Sequence, residues 1–173
     1  LKPFTDNHPK ALAPVNGKSL LEHNILYLQK FGINDIVVNV HHFADQIENL
    51  LKVNNGFGSR FEISDERNEV LETGGGLLKA AHFFGHESFV VMNVDMLTNF
   101  DLSAMIKAHE SANVLATLAV MKRNSSRQLL FDQQMQLCGW RNLSNDAIKI
   151  ARPIEDANEF AFSGIQMIHS DVF

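Results

Sequence analysis

The sequence predicts an α/β domain, a Rossmann-like three-layer α/β/α fold in which a mixed, mostly parallel sheet carries helices on both faces and added β-hairpins. Two observations predict it. Segments with helical spacing of apolar residues alternate with short apolar or β-branched runs as far as residue 121, and this alternation is typical of parallel sheets. After Lys122, strand-like segments follow one another with short connections, which is typical of hairpins.

The individual elements follow from apolar spacing and turn residues. Residues 1–18 have the composition of a loop that is broken by prolines. A helix is predicted over residues 19–31, with Ser19 as its N-cap and Gly32 as its stop. A later helix has Asp101 as its predicted N-cap. Beyond residue 32 we predict strands over residues 35–40, 60–64, 89–93, 114–121, 129–131, 136–140, 147–150 and 160–168, and helices over residues 44–51, 76–84 and 102–111.

Length and composition exclude several classes of protein. The 173 residues are enough for one domain with a substantial core, so we expect a single domain over residues 1–173. A formal net charge of -5 argues against a nucleic-acid-binding surface. No apolar stretch is long enough to cross a bilayer, and no signal peptide is visible. The single Cys138 cannot form an internal disulfide and favours a reducing cytoplasm.

A polar pair follows the apolar run at residues 89–92, which we interpret as a buried strand. Asn93 and Asp95 stand at its carboxyl end, where ligands gather in open α/β sheets. A carboxylate at that place can hold a divalent cation such as Mg²⁺ against a phosphate. The alternative is an aspartate that only caps a turn.

Glu72-Thr73-Gly74-Gly75-Gly76 is a second candidate site. Consecutive glycines allow a backbone to approach a ligand closely, and the free N–H groups of a helix N-terminus bind anions and polar ligand edges. We therefore expect the backbone of Gly74 and Gly75 to lie against a nucleotide, with at least one backbone conformation that other residues adopt at a cost. The alternative is a tight turn from strand to helix.

Lys10 lies in a loop stiffened by Pro9 and Pro14, which presents it as a point charge for phosphate. The alternative is a solvated surface lysine. Gly17-Lys18-Ser19 has the ending of a P-loop, but position 12 is leucine where that motif needs glycine, so a helix-capping turn is the better interpretation.

These motifs together resemble those of the sugar-1-phosphate nucleotidyltransferase family. Residues 1–23 follow its pattern L-x-P-x-T-x-x-x-P-K-x-L-x-P-V-x-G-K-P-L-L-E-H nearly residue for residue. Residues 71–76 match its L-x-T-x/G-G element. Asn93-Val94-Asp95 matches its N-G-D, with valine in place of glycine, and residues 162–165 match its F-x-G-I. The resemblance covers the entire chain, and the first motif is highly specific.

The resemblance implies a nucleotidyltransferase fold and a reaction in which an NTP and a sugar 1-phosphate give an NDP-sugar and pyrophosphate. It implies that Lys10 neutralises phosphate charge and that Asp95 holds Mg²⁺. Residues 72–75 would line the base and ribose pocket, so Glu72, Thr73, Gly74 and Gly75 are candidate nucleotide-binding residues. Asn93 would border the sugar together with Phe162, Ser163 and Gly164.

The family's Gly-rich triphosphate loop and its second metal-binding aspartate have no counterpart in the chain. We therefore expect a chain truncated at both ends, rather than a degenerate enzyme. Within the family, the form of residues 71–76 is similar to N-acetylmuramate-1-phosphate uridylyltransferases, with mannose-1-phosphate guanylyltransferases and heptose enzymes close behind. A non-catalytic sugar-nucleotide-binding or regulatory module of the same fold is the alternative. The base, the sugar and the oligomeric state stay open.

Overall fold

A computed structural model describes all of residues 1–173. Its helices and strands keep the predicted order with two differences: a short hairpin (Pro14–Val15 with Lys18–Ser19) interrupts the predicted loop, and two helices (Glu72–Lys79 and Ala81–Phe84) replace the one predicted over residues 76–84. The helices are α1 (Leu20–Gln29), α2 (Ala44–Val53), α3 (Glu72–Lys79), α4 (Ala81–Phe84) and α5 (Leu102–Ala112). The strands are β1 (Pro14–Val15), β2 (Lys18–Ser19), β3 (Asp35–Val40), β4 (Arg60–Asp65), β5 (Ser88–Met92), β6 (Ala116–Met121), β7 (Arg127–Phe131), β8 (Leu137–Asn142), β9 (Ala147–Ile150) and β10 (Asn158–His169). Short 3-10 helices add Phe4–Asp6, Lys10–Leu12, Asn55–Gly58 and Ser170–Val172.

The strands form three separate hydrogen-bonded sheets, and the predicted mostly parallel sheet is not confirmed. β3 and β4 are the only parallel pair. In the six-stranded sheet, β10 pairs antiparallel with β5 on one edge and with β6 and β7 on the other. The reason is the insertion of β10, the last strand, between β5 and β6. These two strands are linked by α5 and would otherwise have been expected to pair in parallel.

The predicted hairpins are confirmed. β7, β8 and β9 form an antiparallel meander that continues from the first residues of β10. The prediction that residues 89–92 form a buried strand is wrong in one respect, because every residue of β5 is only half-buried. The cause is that β5 pairs with β10 alone and has no strand on its other edge.

Local sequence signals account for the helix ends. The Ser19 hydroxyl accepts a hydrogen bond from the Glu22 N–H at 3.1 Å and so caps α1. Asp101 caps α5 in the same way, because its carboxylate accepts from the Ser103 N–H at 3.0 Å. Gly32 has a φ of +79° just after α1, where glycine meets no steric penalty. The three predictions are confirmed.

Two apolar clusters lie on either side of α1. One packs α1 against α2 and β3 through Leu21, Ile25, Ile36, Ile47 and Leu51 among others. The second joins α1 to α5 and β10 through Tyr27, Leu102, Met105, Ile165 and Met167. Helix α1 therefore packs between the β3–β4 sheet and the six-stranded sheet. No helix has both the length and the apolar character needed to cross a membrane.

A buried histidine makes stability depend on pH. His109 is 3% exposed, and its ring nitrogens lie 3.1 Å from the Ser88 hydroxyl and 2.8 Å from the Thr117 hydroxyl. Burial, assisted by the nearby His169, lowers the pKa of His109 below its ordinary value, against a smaller opposite effect of Glu110. The unfolded chain therefore binds a proton more readily than the folded one, and the folded state loses stability as pH falls through about 6.5.

We expect His109→Gln to flatten the decline of melting temperature between about pH 7.5 and pH 5, because the group that takes up the proton is gone. His82→Gln is the matched control of opposite sign, since the hydrogen bond that His82 donates to the Glu62 carboxylate raises the pKa of this exposed histidine. A decline that is equally steep in wild type and His109→Gln would show that other groups cause it.

Candidate functional site

The segment that follows β5 is fixed from two directions. The Asn93 N–H donates to the Gly164 carbonyl on β10 at 2.9 Å. The side chain of Asn24, buried on α1, donates to the Val94 carbonyl at 2.8 Å. Asp95 therefore leaves the end of β5 on a backbone that is held on both sides.

Lys10 and Asp95, far apart in the sequence, come together at this place. The Lys10 ammonium lies 3.6 Å from an Asp95 carboxylate oxygen, and the two side chains are 61% and 44% exposed. An ion pair this exposed contributes only about 0–1 kcal/mol to stability, so the folded state does not require it. The two charges are left accessible to a ligand.

Asp95 stands without a cluster of further metal ligands, since no group of three His, Cys, Asp or Glu side chains is placed to hold a metal ion. One carboxylate nevertheless fits the way proteins bind Mg²⁺, which keeps several waters and takes much of its coordination from substrate phosphates. The donor set is therefore compatible with a magnesium ion that arrives with a phosphate ligand.

A cleft of about 550 Å³ opens beside Asp95. The loop of residues 95–100 forms one wall, and residues of β6 and β10 form the other, with Ser163 on β10. Most of the lining is apolar or uncharged. The charged side chains that line it are Asp95 and Arg123.

An irregularity in β10 shapes this wall. The pairing of β10 with β6 shifts register between Phe162 and Gln166, which marks a bulge, a feature common next to active sites. Gly164 lies in the bulge with a φ of +78°, and a Cβ there would sit 2.1 Å from the Met96 sulfur. Both the positive φ and the contact with the Met96 side chain favour glycine at this position.

The four residues predicted to border the sugar therefore lie near one another. Asn93 and Gly164 are joined by a backbone hydrogen bond, and Ser163 lines the cleft itself. The Phe162 carbonyl accepts a hydrogen bond from the Arg123 guanidinium at 3.2 Å. Their roles toward a ligand stay predictions.

The glycine segment differs from its prediction. Helix α3 begins at Glu72 rather than at Gly76, so the three glycines lie inside the helix without a positive φ. The residue in the left-handed region is Glu72, with a φ of +56°, so the predicted costly glycine conformation is wrong. Helix geometry explains the difference, because the glycines lie inside α3, after its first residue, where the backbone takes the negative φ of an α-helix.

The predicted contact of Gly74 and Gly75 with a nucleotide stays a prediction, and within the protein the tightest approach in the run is at Gly76, with Gly75 next, whose Cβ would lie 2.9 Å from the Leu71 Cβ. A Cβ on Gly76 would lie 2.5 Å from the Asn39 amide nitrogen and 2.6 Å from a Glu66 carboxylate oxygen, whereas one on Gly74 would meet nothing within 4 Å. Glu66 is 7% exposed and accepts hydrogen bonds from Asn39 and from the Leu71 N–H. Residues 72–75 do not line the Asp95 cleft.

Sequence reasoning missed three residues that shape these places, namely Asn24, Glu66 and Arg123. Asn24 could have been found from the sequence, because a side-chain amide in the apolar stripe of a helix needs a buried hydrogen-bond partner. Glu66 and Arg123 could not, since their partners lie on other elements and charged residues in loops are ordinary.

Comparisons with known proteins agree with the motifs. The Nucleotidyl transferase family model matches residues 1–129. A relative from Caulobacter vibrioides, "N-acetylmuramate alpha-1-phosphate uridylyltransferase", is 40% identical over 99 residues, which cover 56% of this chain and 41% of the relative. The "Mannose-1-phosphate guanylyltransferase catalytic subunit beta" of Xenopus tropicalis is 30% identical over 125 residues, which cover 70% of this chain and 34% of the relative.

The fold has solved counterparts. HddC from Yersinia pseudotuberculosis superposes with a TM-score of 0.75 at 19% identity, over 96% of this chain and 69% of that one. The fold is shared with HddC, and the family model identifies the chain as a nucleotidyl transferase. The chain belongs to the sugar-1-phosphate nucleotidyltransferase family. It spans less than half the length of either relative described above.

Proposed function

We propose that the protein transfers a nucleotidyl group from an NTP to a sugar 1-phosphate. The observation that supports it most directly is the meeting of Lys10 with Asp95 beside the cleft that Ser163 lines. In this reaction a phosphate oxygen of the sugar 1-phosphate attacks the α-phosphorus of the NTP. The bond from the α-phosphorus to the bridging oxygen breaks, and pyrophosphate leaves with that electron pair.

Positioning and charge would supply most of the catalysis, since no covalent bond to the protein is needed. Lys10 would offset negative charge on the phosphates. Asp95 would hold Mg²⁺, which when bound would offset the charge of both substrates' phosphates. Residues 72–75 would line the base and ribose, and Asn93 with residues 162–164 would border the sugar.

For the substrates, we propose UTP and an N-acetylated sugar acid 1-phosphate. The support is the relative from Caulobacter vibrioides, which is named for N-acetylmuramate and is 40% identical, against 30% for the guanylyltransferase. GTP with mannose 1-phosphate is the second candidate, because the guanylyltransferase relative aligns over a larger share of the chain.

We also propose the cytoplasm as the location, since Cys138 is a buried free thiol. Cell fractionation would test it.

A screen for pyrophosphate release tests the activity. The complete protein would be incubated with Mg²⁺, each NTP and a panel of sugar 1-phosphates. Release that needs both substrates supports the enzyme. Nucleotide-sugar binding by calorimetry without any release would instead favour a non-catalytic sugar-nucleotide-binding or regulatory module of the same fold.

Lys10→Ala is expected to weaken the binding of NTP and of pyrophosphate together by about tenfold, the lower range for a hydrogen bond to a charged group. Calorimetry would measure both affinities. Lys2→Ala is the matched control, because Lys2 forms an exposed ion pair with Asp6 at the same 3.6 Å separation in the same segment. Unchanged affinities in Lys10→Ala would make Lys10 a bystander.

A further inference from the structure

Arg123 is the only cationic residue that lines the cleft beside Asp95. It follows the last residue of β6 by two positions. Its guanidinium donates to the Phe162 carbonyl at 3.2 Å, and it forms no ion pair with any Asp or Glu. The only carboxylate of the lining, Asp95, is paired with Lys10. Most of the donor capacity of Arg123 is therefore unused by the protein.

Hydrogen bonds fix the position of Arg123 at its backbone and at its side chain. The side chain of Gln128, only 8% exposed, donates to the carbonyls of Arg123 at 3.3 Å and Ser125 at 3.1 Å. A buried amide thus fixes the turn from which Arg123 projects. The bond to Phe162 holds the guanidinium at the β10 bulge, beside Ser163. An arginine held at both ends loses little entropy when it binds a ligand.

The residues next to Arg123 in the cleft are mostly apolar. The wall that β6 contributes is apolar, with Ala119, Val120 and Met121, and Ile165 continues it on β10. Arg123 is itself exposed to solvent, so its charge is accessible, and an anionic group on an occupant of the cleft would be attracted to it. The planar guanidinium fork matches a carboxylate with two parallel hydrogen bonds.

We propose that Arg123 determines sugar specificity by binding a carboxylate substituent of the sugar ring. The inference rests on the proposed function, since it assigns the cleft to the sugar 1-phosphate. The phosphate of that substrate has its own partners in Lys10 and in the metal that Asp95 would hold. A second, separate cation on the opposite wall calls for a second negative charge on the same substrate.

The experiment compares two substrates that differ in one carboxylate. N-acetylmuramate 1-phosphate is N-acetylglucosamine 1-phosphate with a carboxylate-bearing ether, so the pair isolates that group. For the complete protein, kcat/KM would be measured with each substrate in wild type, Arg123→Met and Arg123→Lys. Calorimetric affinity for each sugar phosphate without NTP provides a readout that does not need turnover. Arg127→Met is the control, as a nearby exposed arginine, the first residue of β7, that lies outside the cleft lining.

Arg123→Met is expected to lower kcat/KM and affinity for the carboxylated substrate by about 10- to 100-fold, while the neutral one changes less than about threefold. Arg123→Lys should recover part of the loss, because it keeps the charge but not the fork. Equal losses for both substrates would mean that Arg123 binds the phosphate or only supports the fold. No loss for either, or a wild type that prefers the neutral sugar, would also overturn the inference. None of these three results would argue against nucleotidyl transfer itself, whose failure would appear as no pyrophosphate release with any pair of substrates.

Discussion

Asp95→Asn should lower turnover of the complete protein by about a hundredfold or more, the scale of removing a key electrostatic group from a transition state. The amide keeps the shape of the side chain and can still accept a hydrogen bond, but it lacks the negative charge that holds a divalent cation. Asp95 is 44% exposed and pairs only with Lys10, so folding should be little affected. Steady-state turnover across a Mg²⁺ titration would measure the effect.

The control for this substitution is Asp101→Asn. Asp101 caps α5 six positions after Asp95, and asparagine caps helices as well as aspartate does. Asp101→Asn should therefore leave both turnover and melting temperature near those of wild type. If Asp95→Asn stayed within about threefold of wild type at saturating Mg²⁺, the proposed metal role of Asp95 would be wrong.

The order of the helices and strands could be predicted because its signals are local. Ser19 and Asp101 cap their helices through backbone N–H groups only a few residues away, and the apolar spacing of α1 is set within one helix. Strand order depends instead on which distant segments pair. No local pattern shows that β10 runs between β5 and β6, so the predicted parallel pairing failed there.

In the candidate site, too, residues with a local sequence motif could be predicted, and those whose position depends on distant segments could not. Lys10 and Asp95 stand out as motif residues, and the structure adds that they lie 3.6 Å apart. The sequence does not mark Arg123 as a site residue. Its position in the cleft follows only from the structure, in which β6 and the β10 bulge line the same cleft. The sequence marks the glycine run as unusual, but the tightest position, Gly76, is set by Asn39 and Glu66, which lie outside the run.

That difference among the glycines gives a pair of opposite expected results. Gly76→Ala should destabilise the protein by about 1–3 kcal/mol, the usual cost of forcing extra atoms into a packed site. Its Cβ would fall 2.5 Å from the Asn39 amide and 2.6 Å from the buried Glu66 carboxylate. Relief would break their hydrogen bond, which also leaves Glu66 short of a partner.

Gly74→Ala is the matched variant in the same helix. Its Cβ would meet nothing within 4 Å, and alanine is favoured over glycine in a helix by up to about 1 kcal/mol. Melting temperature should therefore rise slightly in Gly74→Ala and fall by several degrees in Gly76→Ala, at about 2–4 °C per kcal/mol. Thermal unfolding of both variants beside wild type would show whether the two shifts have opposite signs.

Nucleotide affinity then decides what the glycine segment does. If residues 72–75 lie against the base and ribose, the Gly74→Ala methyl group would intrude on the nucleotide. Affinity would drop while stability rises, a combination that a purely structural glycine cannot produce. If Gly74→Ala binds NTP as wild type does, residue 74 does not contact the nucleotide. The glycine run would then serve the packing of α3 on Glu66 through Gly76, and Lys10 and Asp95 alone would support nucleotide binding.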